Sequence, residues 1–372
     1  MSFQLLLKPS GPDCNSNCTY CFYRRVSEIF PPPPHRMTRE VLETIVRQYL
    51  QLQFPVSVFS WQGGEPTLMG LDFFREVVRL QMRYGSNGQV VCNGLQTNGL
   101  LIEGEWCRFL SKFKFLVGLS IDGPEEIHDF YRGKGTHKRV MQTAKLLKDY
   151  GVEFNVLVVL TDKSVGKTKE IFEFFLENDL RFLQFIPCME VGERGIQPFS
   201  ISPEGYRDFL LELFDLWWKV KEKVSVRMFD ALLEKILLGK VQSFCPFAPR
   251  CGSYLVVEHD GSCYPCDFYV RKETYLGNVM ETHLAEIYRS SLLQRFSWKK
   301  SFLPPECDTC PYKDYCYGGC QKDRVDRKGK PSTKTIYCLS YKSFFSYALP
   351  RLKEYARKVE KKLKETSIPY LP

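Results

Sequence analysis

The chain has 372 residues, of which 44% are hydrophobic and 26% are charged, and its formal net charge is +9. This composition is that of a globular protein with one large core and a smaller module, or with two ordinary domains, and it excludes a disordered chain. No run of about 18 apolar residues occurs, so the sequence predicts no membrane span. The N-terminal segment has no basic region and only a short apolar stretch, so we expect no secretion signal and a cytoplasmic protein.

A positive net charge ordinarily indicates an acidic partner such as nucleic acid. No basic patch with interleaved aromatic residues occurs here, and the lysines of residues 353–364 follow the pattern of a solvated helix face. We therefore expect neither a nucleic-acid partner nor a membrane partner. Twelve of the fifteen cysteines are candidate metal ligands, and thiolate-bound clusters would offset part of the basic excess. The other three, Cys92, Cys107 and Cys188, stand alone and are expected to be small buried apolar residues.

The first 222 residues alternate between strand-like and helix-like segments. We predict strands at residues 4–8, 56–61, 90–96, 116–121, 153–159 and 182–186. We predict helices between and after them, at residues 38–52, 71–84, 105–112, 139–150 and 165–177. This alternation favours an α/β fold with a parallel sheet, either an open barrel or a doubly wound sheet. Functional residues then belong at the carboxyl ends of the strands.

The pattern changes in the last part of the chain. Residues 202–240 are helical and rich in aromatic side chains, and the part from 223 to 240 is predicted to be a connector. From 241 to 342, cysteine, proline and glycine dominate, so this segment has little apolar core and needs metal clusters to hold it together. A last helix and a tail are predicted for residues 343–372.

Cys14, Cys18 and Cys21 form a Cys-x3-Cys-x2-Cys pattern in the loop after the first predicted strand. Three thiolates on one loop bind three irons of a cubane cluster and leave the fourth iron open for a substrate or cofactor. From these residues alone, the alternatives are a zinc site that lacks its fourth ligand and a cluster completed by a distant cysteine.

The loop resembles the signature of radical S-adenosylmethionine (AdoMet) enzymes, in which an aromatic residue, here Phe22, follows the third cysteine. Just past the second predicted strand lies Gly63-Gly64-Glu65-Pro66, which resembles the glycine-rich motif that receives the amino group of AdoMet in that family. The resemblance implies a partial (β/α)6 barrel over residues 1–222. It also implies an AdoMet pocket lined by Tyr20, Gly64, Ser120, Arg132 and Leu183.

Nine further cysteines lie between Cys245 and Cys338. The spacing of seven of them resembles the auxiliary cluster module called SPASM, and Cys245 supplies an eighth ligand. Eight thiolates suffice for two fully ligated [4Fe–4S] clusters, although the Cys-x2-Cys spacing also permits zinc sites. The resemblance assigns one cluster to Cys245, Cys251, Cys266 and Cys320, and the other to Cys307, Cys310, Cys316 and Cys338. Cys263 remains an alternative to Cys266, since both lie near Gly261.

Asp267 directly follows Cys266 and is a candidate general base. By itself, an aspartate in such a loop is as readily a solvated charge or a turn residue. Its surroundings resemble the anaerobic sulfatase-maturating enzymes, in which the matching aspartate is the proposed base. The same resemblance extends over residues 62–68, 96–99, 119–124, 182–185 and 264–269.

The resemblance implies an oxidoreductase with AdoMet and three [4Fe–4S] clusters that converts a cysteine or serine of a sulfatase polypeptide to Cα-formylglycine under anaerobic conditions. It also implies an electron donor such as flavodoxin or ferredoxin. The alternatives are another SPASM-type enzyme that forms thioether or carbon–carbon crosslinks in peptides, a non-catalytic iron–sulfur electron carrier, and a zinc-stapled binding protein. The residues do not distinguish a cysteine substrate from a serine substrate.

Overall fold

The structure is a computed structural model, and it describes residues 2–241 and 244–365. It forms two compact units. The first unit comprises the chain up to Leu157 together with Cys251–Lys299, and the second comprises Val158–Arg250 together with the chain from Lys300 onward. The predicted tail at residues 366–372 lies outside the described residues.

The strands follow the predicted positions closely. They are β1 Gln4–Lys8, β2 Val56–Trp61, β3 Val90–Thr97, β4 Leu116–Ser120, β5 Phe154–Leu160, β6 Phe182–Pro187, β7 Val191–Gly192, β8 Gly195–Ile196, β9 Ser225–Val226, β10 Tyr254–Glu258, β11 Ser262–Tyr264 and β12 Gly277–Asn278. The six strands predicted from the sequence, β1 to β6, are confirmed to within one residue at each end. β2 shows why, because Ser57, Phe59 and Trp61 alternate inward while the residues between them are less buried.

The helices also agree with the predictions in the first half of the chain. They are α1 Arg39–Leu50, α2 Gly70–Tyr84, α3 Gly104–Lys112, α4 Glu125–Arg132, α5 Thr136–Asp149, α6 Thr168–Glu177, α7 Pro203–Trp218, α8 Arg227–Leu238, α9 Leu284–Arg289, α10 Ser291–Lys299, α11 Lys313–Cys316 and α12 Cys338–Glu365. The five predicted helices α1, α2, α3, α5 and α6 are confirmed to within three residues at each end. Side-chain caps fix two of the helix starts, since the hydroxyl groups of Thr38 and Ser202 accept hydrogen bonds from the first turns of α1 and α7.

The helical region predicted over residues 202–240 is instead two helices, α7 and α8, with the short strand β9 before the second. The chain turns between them, where Trp217 Nε1 donates a hydrogen bond to the Val224 carbonyl over 2.8 Å. Helices α9 and α10 were not predicted, because short helices leave little periodicity in a cysteine-rich and proline-rich segment.

In the first unit the sheet runs in the order β12-β11-β10-β1-β2-β3-β4-β5, where β5 continues into the second unit. The strands from β1 to β5 pair in parallel, as predicted. The unpredicted strand β10 also pairs in parallel with β1, in register from Gln4 opposite Tyr254 to Lys8 opposite Glu258. This pairing places the turn that follows β10 at the same sheet edge as the cysteine loop after β1, whereas β11 runs antiparallel to β10 and ends toward the opposite edge.

In the second unit, β6 pairs in parallel with β9, and helices α7, α8 and α12 form an aromatic core. Phe344 of α12 packs against Phe214 of α7 and Phe229 of α8, with ring centroids 5.9 and 5.4 Å apart. Among the helices that the structure describes, none combines the length and the apolar character that crossing a membrane requires.

Candidate active site and cluster ligands

The loop after β1 holds its three cysteines by short-range hydrogen bonds. The Cys21 amide donates to the Cys18 carbonyl over 3.2 Å, and the Ser16 amide donates to Cys14 Sγ over 3.3 Å. The Ser16 hydroxyl also lies 3.3 Å from Cys18 Sγ. Cys14 is exposed, Cys18 and Cys21 are partly buried, and burial raises the pKa of the Cys21 thiol. A metal that replaces the protons turns such thiols into thiolate ligands, and three thiols on one short loop are the donor set of a cubane cluster with one open iron.

The glycine-rich motif after β2 supports this loop from behind. The Gly64 and Glu65 amides donate to the carbonyls of Gly11 and Asp13, both over 2.8 Å. A Cβ atom at Gly64 would lie 2.0 Å from the Asp13 carbonyl oxygen, so the close approach of the two segments requires glycine.

Glu65 links the same motif to the end of β3. Its fully buried carboxylate accepts hydrogen bonds from the hydroxyl groups of Thr67 and Thr97, over 2.6 and 2.7 Å, and from the Asn98 amide over 2.8 Å. Buried carboxylates are stable when several donors surround them, as here. The motif therefore fixes the cysteine loop against the carboxyl ends of β2 and β3.

A small cavity lies beside the cysteine loop in the first unit. It is lined by Ser16, Asn98, Leu100, Ser120, His128, Arg132 and Thr136. Two of the residues predicted to contact AdoMet, Ser120 and Arg132, are therefore together at this cavity. Leu183, also predicted for this pocket, lies on β6 in the second unit, where its side chain is buried.

Asp122 connects Tyr20 to Arg132, and its importance was missed in the sequence. Its carboxylate accepts a hydrogen bond from Tyr20 Oη over 2.5 Å and a bidentate pair from Arg132 over 2.7 and 3.0 Å. Burial alone would raise the pKa of Asp122, but the charge and hydrogen bonds of Arg132 outweigh it and lower that pKa. The sequence feature that indicated a role for Asp122 was the Ser-Ile-Asp-Gly-Pro segment at the end of β4, which entered the sequence analysis only as part of the family resemblance.

The predicted base, Asp267, begins a short 3-10 turn after β11, and only 9% of its surface is exposed. One oxygen, Oδ1, accepts a hydrogen bond from Tyr254 Oη over 2.9 Å, and the other, Oδ2, lies 4.0 Å from Lys8 Nζ. Tyr254 Oη also lies 3.1 Å from Cys266 Sγ. A single tyrosine thus contacts both the predicted base and a predicted cluster ligand, and neither Tyr254 nor Lys8 was identified from the sequence.

Cys263 and Cys266 have different surroundings. Cys263 is fully buried within β11, and its thiol contacts the Gly261 carbonyl at 3.7 Å. Cys266 follows the strand, is only partly buried and faces Tyr254 and Asp267. Of the three isolated cysteines, which we expected to be buried apolar residues, Cys107 and Cys188 are buried, but Cys92 is exposed near the start of β3.

Four of the predicted ligands surround one cavity in the second unit, namely Cys307, Cys310, Cys316 and Cys338. Among the residues that the structure describes, no three acidic, histidine or cysteine side chains converge on one metal ion. A cavity lined by four cysteines offers the donor set of a multi-iron cluster, in which each thiolate binds a different iron. Three lysines also line this cavity, Lys313, Lys334 and Lys342.

The other predicted ligand set is divided between the units. Cys245 and Cys320 belong to the second unit, and Cys251 and Cys266 belong to the first. In the second unit the buried Lys300 ammonium donates to the Cys245 carbonyl over 2.6 Å, which fixes the backbone of that predicted ligand. In the first unit the Ser297 hydroxyl does the same for the Cys251 carbonyl over 2.5 Å.

A cysteine loop at the carboxyl end of β1, a cavity beside it and further cysteine clusters together define a radical AdoMet enzyme with auxiliary iron–sulfur clusters. The chain matches the family model of the Radical SAM superfamily over residues 9–175 and that of an iron–sulfur cluster-binding domain, SPASM, over residues 245–311. AdoMet and three [4Fe–4S] clusters are accordingly its cofactors, as expected from the sequence.

Comparison with individual proteins narrows this class. The chain is 41% identical to a cysteine-type anaerobic sulfatase-maturating enzyme of Clostridium perfringens, over 96% of this chain and 99% of that protein. It is 35% identical to a serine-type enzyme of Bacteroides thetaiotaomicron, over 93% and 89% of the two chains. Its fold matches native anSMEcpe with bound AdoMet and Cp18Cys peptide, with a TM-score of 0.88, 40% identity and coverage of 96% and 99%. The chain belongs to the anaerobic sulfatase-maturating enzymes, and the α/β fold predicted for it is confirmed.

Proposed function

We propose that this enzyme oxidises a cysteine side chain in an extended segment of a sulfatase to Cα-formylglycine, with Asp267 as the proton acceptor. The observation that carries the proposal is the position of Asp267, a buried carboxylate that shares Tyr254 with the cluster ligand Cys266. A cysteine substrate is favoured over a serine substrate because the cysteine-type relatives are more similar to this chain than the serine-type relatives, at 41% against 35% identity.

When bound, AdoMet and the clusters supply the radical that removes a hydrogen atom from the substrate Cβ and the acceptor for the one remaining electron. Cys14, Cys18 and Cys21 would hold the cluster that AdoMet binds, and Arg132, fixed by its hydrogen bonds to Asp122, would line the cofactor pocket. Asp267 takes the thiol proton. With one hydrogen atom, one electron and one proton removed, the side chain becomes a thioaldehyde, and water converts it to the aldehyde with release of hydrogen sulfide.

The ligand assignment of the auxiliary clusters is part of the proposal. Cys266 is favoured over Cys263 because its thiol is partly exposed and lies beside Tyr254, whereas the Cys263 thiol is packed inside β11. The second cluster set is supported by the cavity that its four thiols surround. We also propose the domain division that the sequence predicts. It consists of a barrel over residues 1–222, a connector over 223–240, an auxiliary domain over 241–342, and a helix and tail over 343–372.

An external electron is needed to reduce the resting enzyme before AdoMet is first cleaved, so we propose a small electron donor such as flavodoxin or ferredoxin as a partner. Such chemistry requires reduced thiols, which favours a reducing compartment and hence the cytoplasm. The substrate is a sulfatase segment that is not yet folded, because an extended chain can place one side chain in a buried site.

The test is anaerobic incubation of the reconstituted enzyme with a peptide that contains the family's substrate pattern, Cys-x-Pro-x-Arg. Mass spectrometry should show a loss of about 18 Da, because sulfur leaves as hydrogen sulfide and oxygen enters. The Asp267→Asn variant should still form 5′-deoxyadenosine, while the aldehyde yield falls by roughly 100-fold or more.

Two other outcomes would count against the proposal. A product about 2 Da lighter that resists aldehyde reagents would indicate a crosslinking enzyme instead. An Asp267→Asn variant that forms the aldehyde at the wild-type rate would exclude this residue as the base.

A further inference from the structure

Lys8 is a buried lysine at the carboxyl end of β1, and only 1% of its surface is exposed. Its ammonium donates a hydrogen bond to Gln62 Oε1 over 2.9 Å and lies 4.4 Å from the centre of the Tyr23 ring. The Asp267 carboxylate is 4.0 Å away, through Oδ2. Burying an ammonium group costs free energy unless opposite charge and hydrogen bonds compensate. A buried lysine at this position therefore indicates either a structural or a functional role for its charge.

The parallel register of β1 and β10 sets a second carboxyl group, that of Glu258, opposite Lys8. Glu258 Oε1 accepts a hydrogen bond from Tyr23 Oη, and the fully buried Oε2 has no partner among the described residues. Burial raises the pKa of Glu258 to about 8, so this group is mostly uncharged at neutral pH. Burial lowers the pKa of Lys8, and the negative charge of Asp267 is the strongest influence that opposes this and stabilises the ammonium form. Asp267, at 4.0 Å, is therefore the main charged partner of Lys8.

Two side chains approach Asp267 through different oxygen atoms. Tyr254 donates a hydrogen bond to Oδ1, and Lys8 attracts Oδ2 electrostatically. A carboxylate contacted at both oxygens cannot rotate freely about its Cβ–Cγ bond. Proton acceptors in catalysis need such fixed geometry, because small displacements of the accepting atom reduce the rate strongly.

We propose that Lys8 is the positioning residue of Asp267: its buried ammonium holds the carboxylate in the orientation that receives the substrate proton. This inference rests on the proposed role of Asp267 as the base. Lys8 itself takes no proton from the substrate and binds neither AdoMet nor a cluster. Its contribution is therefore expected in the turnover of bound peptide and not in the binding of the peptide or the cofactor.

The test compares the Lys8→Met variant with the wild-type enzyme after anaerobic reconstitution, using a substrate peptide deuterated at the cysteine Cβ. We expect the rate of formylglycine formation to fall by about 10-fold or more, because proton transfer to a misplaced base is slow. We expect the peptide KM, the iron content and the transfer of deuterium into 5′-deoxyadenosine to stay within about twofold. A variant that only disturbs folding would instead lose iron and deuterium transfer as well.

Glu258→Gln is the matched control, because Glu258 is the register partner of Lys8 and is equally buried. A glutamine has nearly the same size and shape as an uncharged glutamic acid. The Glu258→Gln variant should therefore form formylglycine at a rate within about twofold of the wild-type rate. If Lys8→Met does not incorporate its clusters, Lys8→Gln serves in its place, since it keeps a polar group near Gln62 while removing the charge.

A double-variant cycle separates this inference from the proposed base. In the Asp267→Asn background, Lys8→Met should cause no further loss, because the group that it positions has been removed. Two outcomes would overturn the positioning role. One is a further 10-fold loss in the rate of formylglycine formation when Lys8→Met is added to Asp267→Asn, and the other is a wild-type rate for Lys8→Met alone. If Asp267→Asn itself is fully active, the proposed base fails, and the role of Lys8 fails with it.

Discussion

Gly64 and Asp13 approach so closely that a Cβ atom on Gly64 would stand 2.0 Å from the Asp13 carbonyl oxygen. The contact joins the segment after β2 to the loop that carries the first three cysteines. No side-chain rotation relieves it, because the backbone fixes the position of a Cβ atom and the Asp13 carbonyl is itself part of the backbone. The glycine is thus a requirement for the geometry of the cysteine loop, in addition to any contact with AdoMet.

Gly64→Ala should therefore displace the loop that binds the first cluster. We expect the reconstituted variant to lose about four irons per chain and all cleavage of AdoMet, while the auxiliary clusters remain. Iron analysis and 5′-deoxyadenosine formation measure both effects. Gly94→Ala is the control, since a Cβ atom there meets its nearest neighbour at 3.8 Å. Full iron loading of Gly64→Ala would show that the loop tolerates the displacement.

Asp122→Asn should weaken AdoMet binding, because Asp122 connects Tyr20 and Arg132 beside the cofactor pocket. Removing one partner of a buried ion pair costs about 3–5 kcal/mol, since the other charge stays buried. We expect the thermal stability to fall and the AdoMet KM to rise by at least 10-fold, with an unchanged iron content. Asp149→Asn, at the exposed end of α5, should change neither quantity. An unchanged AdoMet KM for Asp122→Asn would contradict this role.

The stability of the enzyme should depend on pH through Glu258. The folded-state pKa of this group is about 8, above its usual value of 4.5, because its carboxyl group is buried. Between these values the folded state holds a proton that the unfolded state has released. The contribution of Glu258 to stability is therefore greatest below pH 4.5 and falls as pH rises toward 8, by up to about 1.4 kcal/mol per pH unit.

The Glu258→Gln variant isolates this effect, because its amide does not titrate. Other groups that interact with Glu258, including Lys8, Asp260 and Asp267, are present in both proteins and largely cancel in the difference. We expect the stability difference between variant and wild type to increase in favour of the variant from pH 6 to pH 9. Anaerobic thermal unfolding at several pH values provides the measurement, and a difference that stays constant would refute the prediction.

Replacing Cys307 and Cys310 with alanine should remove one auxiliary cluster, because both thiols line the same cavity. We expect a loss of about four irons, with AdoMet cleavage retained and formylglycine formation strongly reduced. Cys92→Ala, which changes an exposed cysteine outside all three ligand sets, should leave the iron content and the activity unchanged. Loss of all clusters in the double variant would mean that the cavity is needed for folding rather than for one cluster.

The alternating part of the fold was predictable from the sequence because each strand from β1 to β6 is bounded by turn residues and followed by a helical pattern. β10 was not predicted, although Tyr-Leu-Val-Val-Glu is a typical strand sequence, because the surrounding cysteines and glycines obscured it. The cysteines and Asp267 were found by their spacing and their resemblance to a family.

The roles of Lys8, Tyr254 and Asp122 were not predictable in the same way. Each depends on strand register or on a contact between residues distant in sequence, and a lysine at the end of a strand is ordinarily solvated.

The parallel pairing of β10 with β1 has a consequence for protein engineering. The first strand of the barrel is covered on one side by a strand that comes about 250 residues later in the chain. A truncated enzyme that ends before Cys251 would expose the backbone amides and carbonyls of β1 along that side. Unprotected edges of this kind promote association between chains, so we expect such a fragment to aggregate. Designs that aim at a minimal radical enzyme on this scaffold should therefore keep β10 or provide another strand in its place.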